Sequence, residues 1–122
     1  MTLYHGGARW LDRKGVILPP SRTGAPCGSD FGGAGVHRRD RVYLTSSLDE
    51  ARMFALLAPP RGEGTVYEAE PIGDTEPDPD YSGPAVCVQV PMARIVRVVD
   101  RRVRELGGLG PAEVLAVLGG AA

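Results

Sequence analysis

Two short segments of this 122-residue chain place aromatic and hydrogen-bonding groups in an order suited to holding a planar ligand. The first is Tyr4-His5-Gly6-Gly7. The second is Val42-Tyr43-Leu44-Thr45-Ser46, and Phe54 follows Tyr43 after ten intervening residues. A neutral imidazole at His5 can hydrogen-bond a sugar hydroxyl and fix its orientation. Glycines beside it let the backbone come close to a bulky ligand. A tyrosine on a strand and a phenylalanine on the following helix can face each other across a cleft. Two such ring faces hold a planar, cationic ring by stacking and cation–π attraction, about 0.5–2 kcal/mol each. Thr45 and Ser46 add hydroxyls near the same spot. Taken singly, each residue is more often structural: a lone histidine is commonly exposed, and strand tyrosines and helix phenylalanines usually belong to the core. The combination is what points to a site.

A further set of residues could act on a ligand so held. Asp74, Glu76, Asp78 and Asp80 lie in the proline-rich stretch 71–84. Runs of this kind are commonly solvated loops. One carboxylate fixed beside the ligand would stabilise an oxocarbenium-like cation of the type formed in glycoside hydrolysis. It could also orient or deprotonate the incoming nucleophile. Spacing alone does not choose among the four.

These groups need elements to position them. Residues 2–5 read as a short strand ended by Gly6-Gly7, and Arg41–Thr45 as another. Ser47 three residues before Glu50 forms a capping box at a helix start. Leu48, Ala51, Phe54, Ala55 and Ala58 fall on one stripe of that helix, and Pro59-Pro60 stops it. Thr65–Glu70 reads as an alternating strand, while Ala85–Val90 and Ala93–Val99 are β-branched runs split by Pro91. Pro111 at a first helical position and Gly119-Gly120 as a stop predict a short terminal helix with Leu115 and Leu118 packed on the body. Residues 20–40 form a long glycine-rich connection, which reads equally as a substrate-facing lid or a surface excursion.

Composition bounds the rest. A single domain of 1–122 is expected, with a core of about 3–100 and a tail of 101–122. The 43% apolar and 24% charged residues are ordinary for a soluble globular domain. A net charge of −1 gives no long-range attraction to nucleic acid or an anionic membrane. Arg94, Arg97, Arg101, Arg102 and Arg104 read as a solvated face before they read as a basic patch. Cys27 and Cys87 have no metal spacing, so no metal is expected, and Cys87 reads as a small core residue. With no charged-then-apolar leader and no run near the roughly 20 residues of a membrane span, a cytoplasmic monomer with reduced thiols is expected.

The order YHGG, VYLTSSLDEARMFA, GEGTVYEAEPIGDTEPDPD and ARIVRVV resembles the rifamycin ADP-ribosyltransferases of the diphtheria-toxin and poly-ADP-ribose-polymerase superfamily. The likeness covers roughly residues 3–100. It implies a small α+β fold, mostly β, of two packed antiparallel sheets with a central helix after the second strand and a short C-terminal helix. It also implies transfer of ADP-ribose from NAD, without a metal, to an acceptor such as a rifamycin-type antibiotic or a macromolecule. Its catalytic histidine, tyrosine and acidic residue correspond here to His5, Tyr43 and Asp78. Tyr4, Gly6, Thr45, Ser46 and Phe54 join His5 and Tyr43 as expected NAD-contacting positions. The chain departs from the family at Gly7, where threonine is usual, and in segment 20–40. In the wider superfamily the third catalytic position lies on a late strand, where this chain has Gln89. Two other readings are an NAD-dependent RNA 2′-phosphotransferase relative, disfavoured by the near-neutral charge, and a non-catalytic NAD- or ADP-ribose-binding module.

Overall fold

The structure, a computed structural model, describes residues 1–23 and 40–120. Most of the glycine-rich connection, with Cys27, lies outside the described residues. Its first residues form one helical turn, α1 (Pro20–Thr23). The strands are β1 (Leu3–Gly7), β2 (Val16–Ile17), β3 (Val42–Thr45), β4 (Gly64–Ile72), β5 (Glu76–Pro77), β6 (Cys87–Val90) and β7 (Met92–Val103). The longer helices are α2 (Leu48–Leu57) and α3 (Pro111–Gly120).

The expected mostly β, α+β fold is present, but the expected two sheets are corrected to one. All seven strands join a single antiparallel sheet in the order β2-β7-β4-β1-β3-β6-β5. The join is narrow. β1 pairs with β4 over its whole length, from Leu3↔Ala69 to Gly7↔Thr65, but meets β3 at the single pair Tyr4↔Thr45. One residue pair therefore stitches β3-β6-β5 onto the larger half.

That sheet must also curl. Only Pro91 separates β6 from β7, yet β4, β1 and β3 stand between them in the sheet. At roughly 4.8 Å per strand, a flat sheet would hold them about 19 Å apart. Two peptide units reach no more than about 7.6 Å. Curling brings the two halves face to face over a core of Ile17, Val42, Leu44, Ala69, Val88, Val90 and Ala93. The β-bulge irregularities between β4 and β7 supply bending of this kind.

A second core lies under α2. Ala51, Ala55, Leu56 and Leu57 pack with Val66, Val103 and Val114. The segment expected to be a tail thus contributes two buried residues, and Leu115 packs against the same cluster as expected. The helix starts where the sequence indicates: Ser47 Oγ accepts a hydrogen bond from Glu50 N at 3.2 Å. It lies close on the sheet because Gly6 and Gly64 have no side chains. A Cβ at Gly6 would stand 1.7 Å from the Ala51 carbonyl oxygen, and one at Gly64 would stand 1.8 Å from that of Ala55. β1 therefore continues through Gly6 and Gly7 instead of stopping there, as a glycine with a normal strand partner can do.

The C-terminal arginines are mostly neutralised. Arg94 pairs with Glu70, Arg97 with Glu68, Arg101 with Asp12, and Arg102 with Glu63. Among the described residues, no helix is long and apolar enough to cross a membrane.

Candidate active site

Beyond Tyr4↔Thr45 the strands β1 and β3 part, and a cleft of about 290 Å³ opens along the gap. Tyr4 to Ala8 line it from one side and Arg41 to Thr45 from the other. Phe54 reaches it from α2, Asp78 and Cys87 from the β5–β6 side, and Leu11, Ile17, Leu18 and Pro20 extend its apolar wall. The sheet's weakest seam is thus its ligand-sized opening.

His5 sits at this seam. Its Nδ1 lies 3.0 Å from the Tyr43 carbonyl oxygen, a contact in which only a protonated Nδ1 can donate. The side chain thereby bridges strands whose backbones have separated. In the neutral ring this tautomer leaves Nε2 as an acceptor. Burial pushes the His5 pKa below its usual 6.5, against an opposing effect of the hydrogen bond to Tyr43. His5 is therefore a neutral hydrogen-bond acceptor at physiological pH. Gly7 gives its ring room, since a Cβ there would stand 2.6 Å from Nε2.

Behind His5 stands Tyr67, its direct partner across β1 and β4. The two rings stack with centroids 6.5 Å apart and planes 28° from parallel. The Tyr67 hydroxyl donates to the Ala8 carbonyl at 2.6 Å and accepts from Leu11 N at 3.1 Å. It thus holds the loop after β1, which contributes Ala8 and Leu11 to the cleft wall. Sequence reasoning missed Tyr67. The available signal was a tyrosine following Thr65 and Val66 at the buried start of β4, where a buried hydroxyl needs a partner.

Tyr43 and Phe54 both line the cleft, and Phe54 belongs to neither core cluster. Tyr4 and Gly6 border the cleft as well, but Tyr4 also packs on the second core, and α2 takes the space over Gly6. Thr45 lines it too, yet its hydroxyl is engaged internally. Thr45 Oγ1 accepts from Ser47 N at 3.0 Å and donates to Glu50 Oε2 at 3.2 Å. Ser46 is outside the cleft lining and fastens β3 to the approach to β6: its Oγ accepts from Val86 N at 2.9 Å.

Of the four acidic-loop residues, Asp78 is the one that lines the cleft. Its amide donates to the Cys87 carbonyl at 2.9 Å, and its Oδ1 accepts from Asp80 N at 3.0 Å. Glu76 instead lies on β5 and pairs with Arg41 at 3.2 Å. Gln89 sits on β6 opposite both Tyr43 and Glu76, is 5% exposed, and has no partner for Oε1 among the described residues. The Cys87 thiol, pushed up to about 11 mainly by burial, stays protonated. Among the described residues no three His, Cys, Asp or Glu side chains group to hold a metal.

The arrangement offers an acceptor nitrogen, two aromatic rings and one carboxylate around an apolar cleft. No curated protein matches this chain. A family model described as rifampin ADP-ribosyl transferase matches residues 3–92, from the start of β1 to the first residue of β7. That span holds every residue singled out in the cleft, and with it most of its 122 residues matched, the chain belongs to the rifampin ADP-ribosyl transferase family.

Proposed function

We propose that this protein is an NAD-dependent mono-ADP-ribosyltransferase that breaks the nicotinamide–ribose bond and passes ADP-ribose to an acceptor, with a rifamycin-type antibiotic the first candidate. The observation that carries the reading is the cleft at the β1–β3 seam. There a neutral His5, Tyr43, Phe54 and Asp78 converge within the segment matched by the family. Its volume of about 290 Å³ is at the small end of ligand pockets and suits the nicotinamide and its ribose.

In this reading NAD supplies ADP-ribose as the group transferred and nicotinamide as the leaving group. Tyr43 and Phe54 hold the nicotinamide ring by its faces. His5 Nε2 accepts a hydrogen bond from a ribose hydroxyl and fixes the sugar relative to the rings. Asp78 provides negative charge where the sugar becomes cationic, and a carboxylate already held in place costs little reorganisation as the charge develops. The same carboxylate can take a proton from the acceptor hydroxyl. The apolar wall of Leu11, Ile17, Leu18 and Pro20 excludes water, which would otherwise compete as nucleophile. The pairing of four C-terminal arginines with acids argues against the phosphate grip that an RNA 2′-phosphotransferase needs.

The test is incubation with NAD and a rifamycin, followed by mass spectrometry. One added ADP-ribose on the antibiotic supports the proposal. Nicotinamide release with no adduct retains NAD cleavage but rejects this acceptor, and NAD left intact rejects the enzyme reading.

A further inference from the structure

We propose that Glu50 and Tyr81 form a latch that fixes the Asp78-bearing turn against the start of α2, making both positioning residues for Asp78. The inference rests on the proposed role of Asp78 in NAD cleavage.

A carboxylate that stabilises a transient cation must be held still, and Asp78 lies in a largely exposed, acidic connection between β4 and β6. Two ties hold its turn. On one side, Asp78 N donates to the Cys87 carbonyl at 2.9 Å, while Tyr81 N donates to the Asp78 carbonyl at 3.2 Å. On the other, the Tyr81 hydroxyl donates to Glu50 Oε1 at 2.7 Å and accepts from Ala85 N at 3.0 Å. A hydroxyl donating to a carboxylate is among the stronger hydrogen bonds in proteins. Glu50 in turn holds Tyr81 to its proton, raising the phenol pKa above 10.0, so the donor role is fixed.

The remaining contacts show that Glu50 is committed to this task. Its Oε2 accepts from Thr45 Oγ1 at 3.2 Å and lies 3.5 Å from the Cys87 thiol. In a full capping box the Glu50 carboxylate would return to Ser47 N. Here Ser47 N uses Thr45 Oγ1 instead, and the carboxylate is released to reach Tyr81. Gly83 clears the path of the phenol, because a Cβ there would stand 2.3 Å from the Tyr81 hydroxyl. One carboxylate therefore joins three parts of the cleft: β3 through Thr45, the Asp78 turn through Tyr81, and α2, which carries Phe54 one turn beyond Glu50.

The experiment uses Tyr81→Phe, Glu50→Gln and Glu50→Ala, each alone and with Asp78→Asn, and reads nicotinamide release from NAD. Tyr81→Phe removes only the hydroxyl, and we expect kcat to fall about ten- to a hundredfold with KM for NAD changed less than about twofold. Glu50→Gln keeps an oxygen acceptor for Tyr81 and should recover most of the activity that Glu50→Ala loses. Adding Asp78→Asn to Tyr81→Phe should cost much less than Asp78→Asn costs alone, since a carboxylate already out of place has little left to lose. Wild-type kcat in Tyr81→Phe, or losses that multiply independently, would overturn the proposal. Amide hydrogen exchange at Asp78, Asp80 and Tyr81 separates this from the NAD reading. If the wild-type protein releases no nicotinamide, that reading fails and exchange alone decides: faster exchange in Tyr81→Phe supports the latch, and unchanged exchange overturns it. Should Glu50→Ala fail to fold, Tyr81→Phe carries the test.

Discussion

At the scale of single residues, burial sets the protonation states of His5 and Cys87 in the cleft. His5 illustrates the sign. Its folded pKa lies below 6.5, so on acidification the unfolded chain takes up a proton at this position before the folded protein does. Stability should therefore fall as pH drops from about 6.5 toward the folded value and level off below it. His5→Gln removes this dependence. Thermal melts from pH 7.5 to 5 should show a steeper acid loss for the wild type than for the variant, and parallel curves would mean that His5 is not held neutral. Asp78 and Gln89 pose a second question at this scale, because Gln89 is buried beside Tyr43 with an acceptor unpaired among the described residues, while Asp78 faces the cleft. We expect Asp78→Asn to lower kcat about a hundred- to a thousandfold, as removal of one preorganised electrostatic partner does. Gln89→Ala should cost much less. Near-full activity in Asp78→Asn together with loss in Gln89→Ala would move the third catalytic group to β6.

At the scale of elements, two neighbouring glycines have different jobs. A side chain at Gly6 meets the backbone of α2, which cannot move without lifting the helix, whereas one at Gly7 meets only the His5 ring. Gly6→Ala should destabilise by about 3 kcal/mol or more, and Gly7→Ala by about 1 kcal/mol or less while disturbing His5. Denaturant melts of the pair check this, and equal losses would contradict it. Ser47→Ala should cost about 1 kcal/mol through loss of the helix cap. What the sequence revealed at this scale was local. The cap at Ser47, the strand Val42–Thr45 and the helix carrying Phe54 each depend on neighbours within a few residues, and all three formed close to where they were expected. Glu50 looked like half of a capping box and became a tie to Tyr81, 31 residues away, which no local pattern encodes. Tyr67 was hidden for the same reason, since its value lies in standing across from His5.

At the scale of the whole molecule, the site follows from one economy of the sheet. Pro91 joins β6 to β7 across the curl, and β1 meets β3 at only one pair, so the two halves are held together but spread open where His5 and Tyr43 face the gap. The two sheets implied by the family resemblance become one, because the pairing that unites the halves is set by chain-distant residues such as Tyr4 and Thr45. The family resemblance located the cleft strands, and the fold explains why a histidine belongs at their parting. The most direct test of this account is nicotinamide release from NAD by the wild-type protein and by His5→Ala, with a thermal melt of each. We expect steady release by the wild type, a loss of at least about a hundredfold in His5→Ala, and a melting temperature changed by only a few degrees. Release at the wild-type rate by a folded His5→Ala protein would contradict the account.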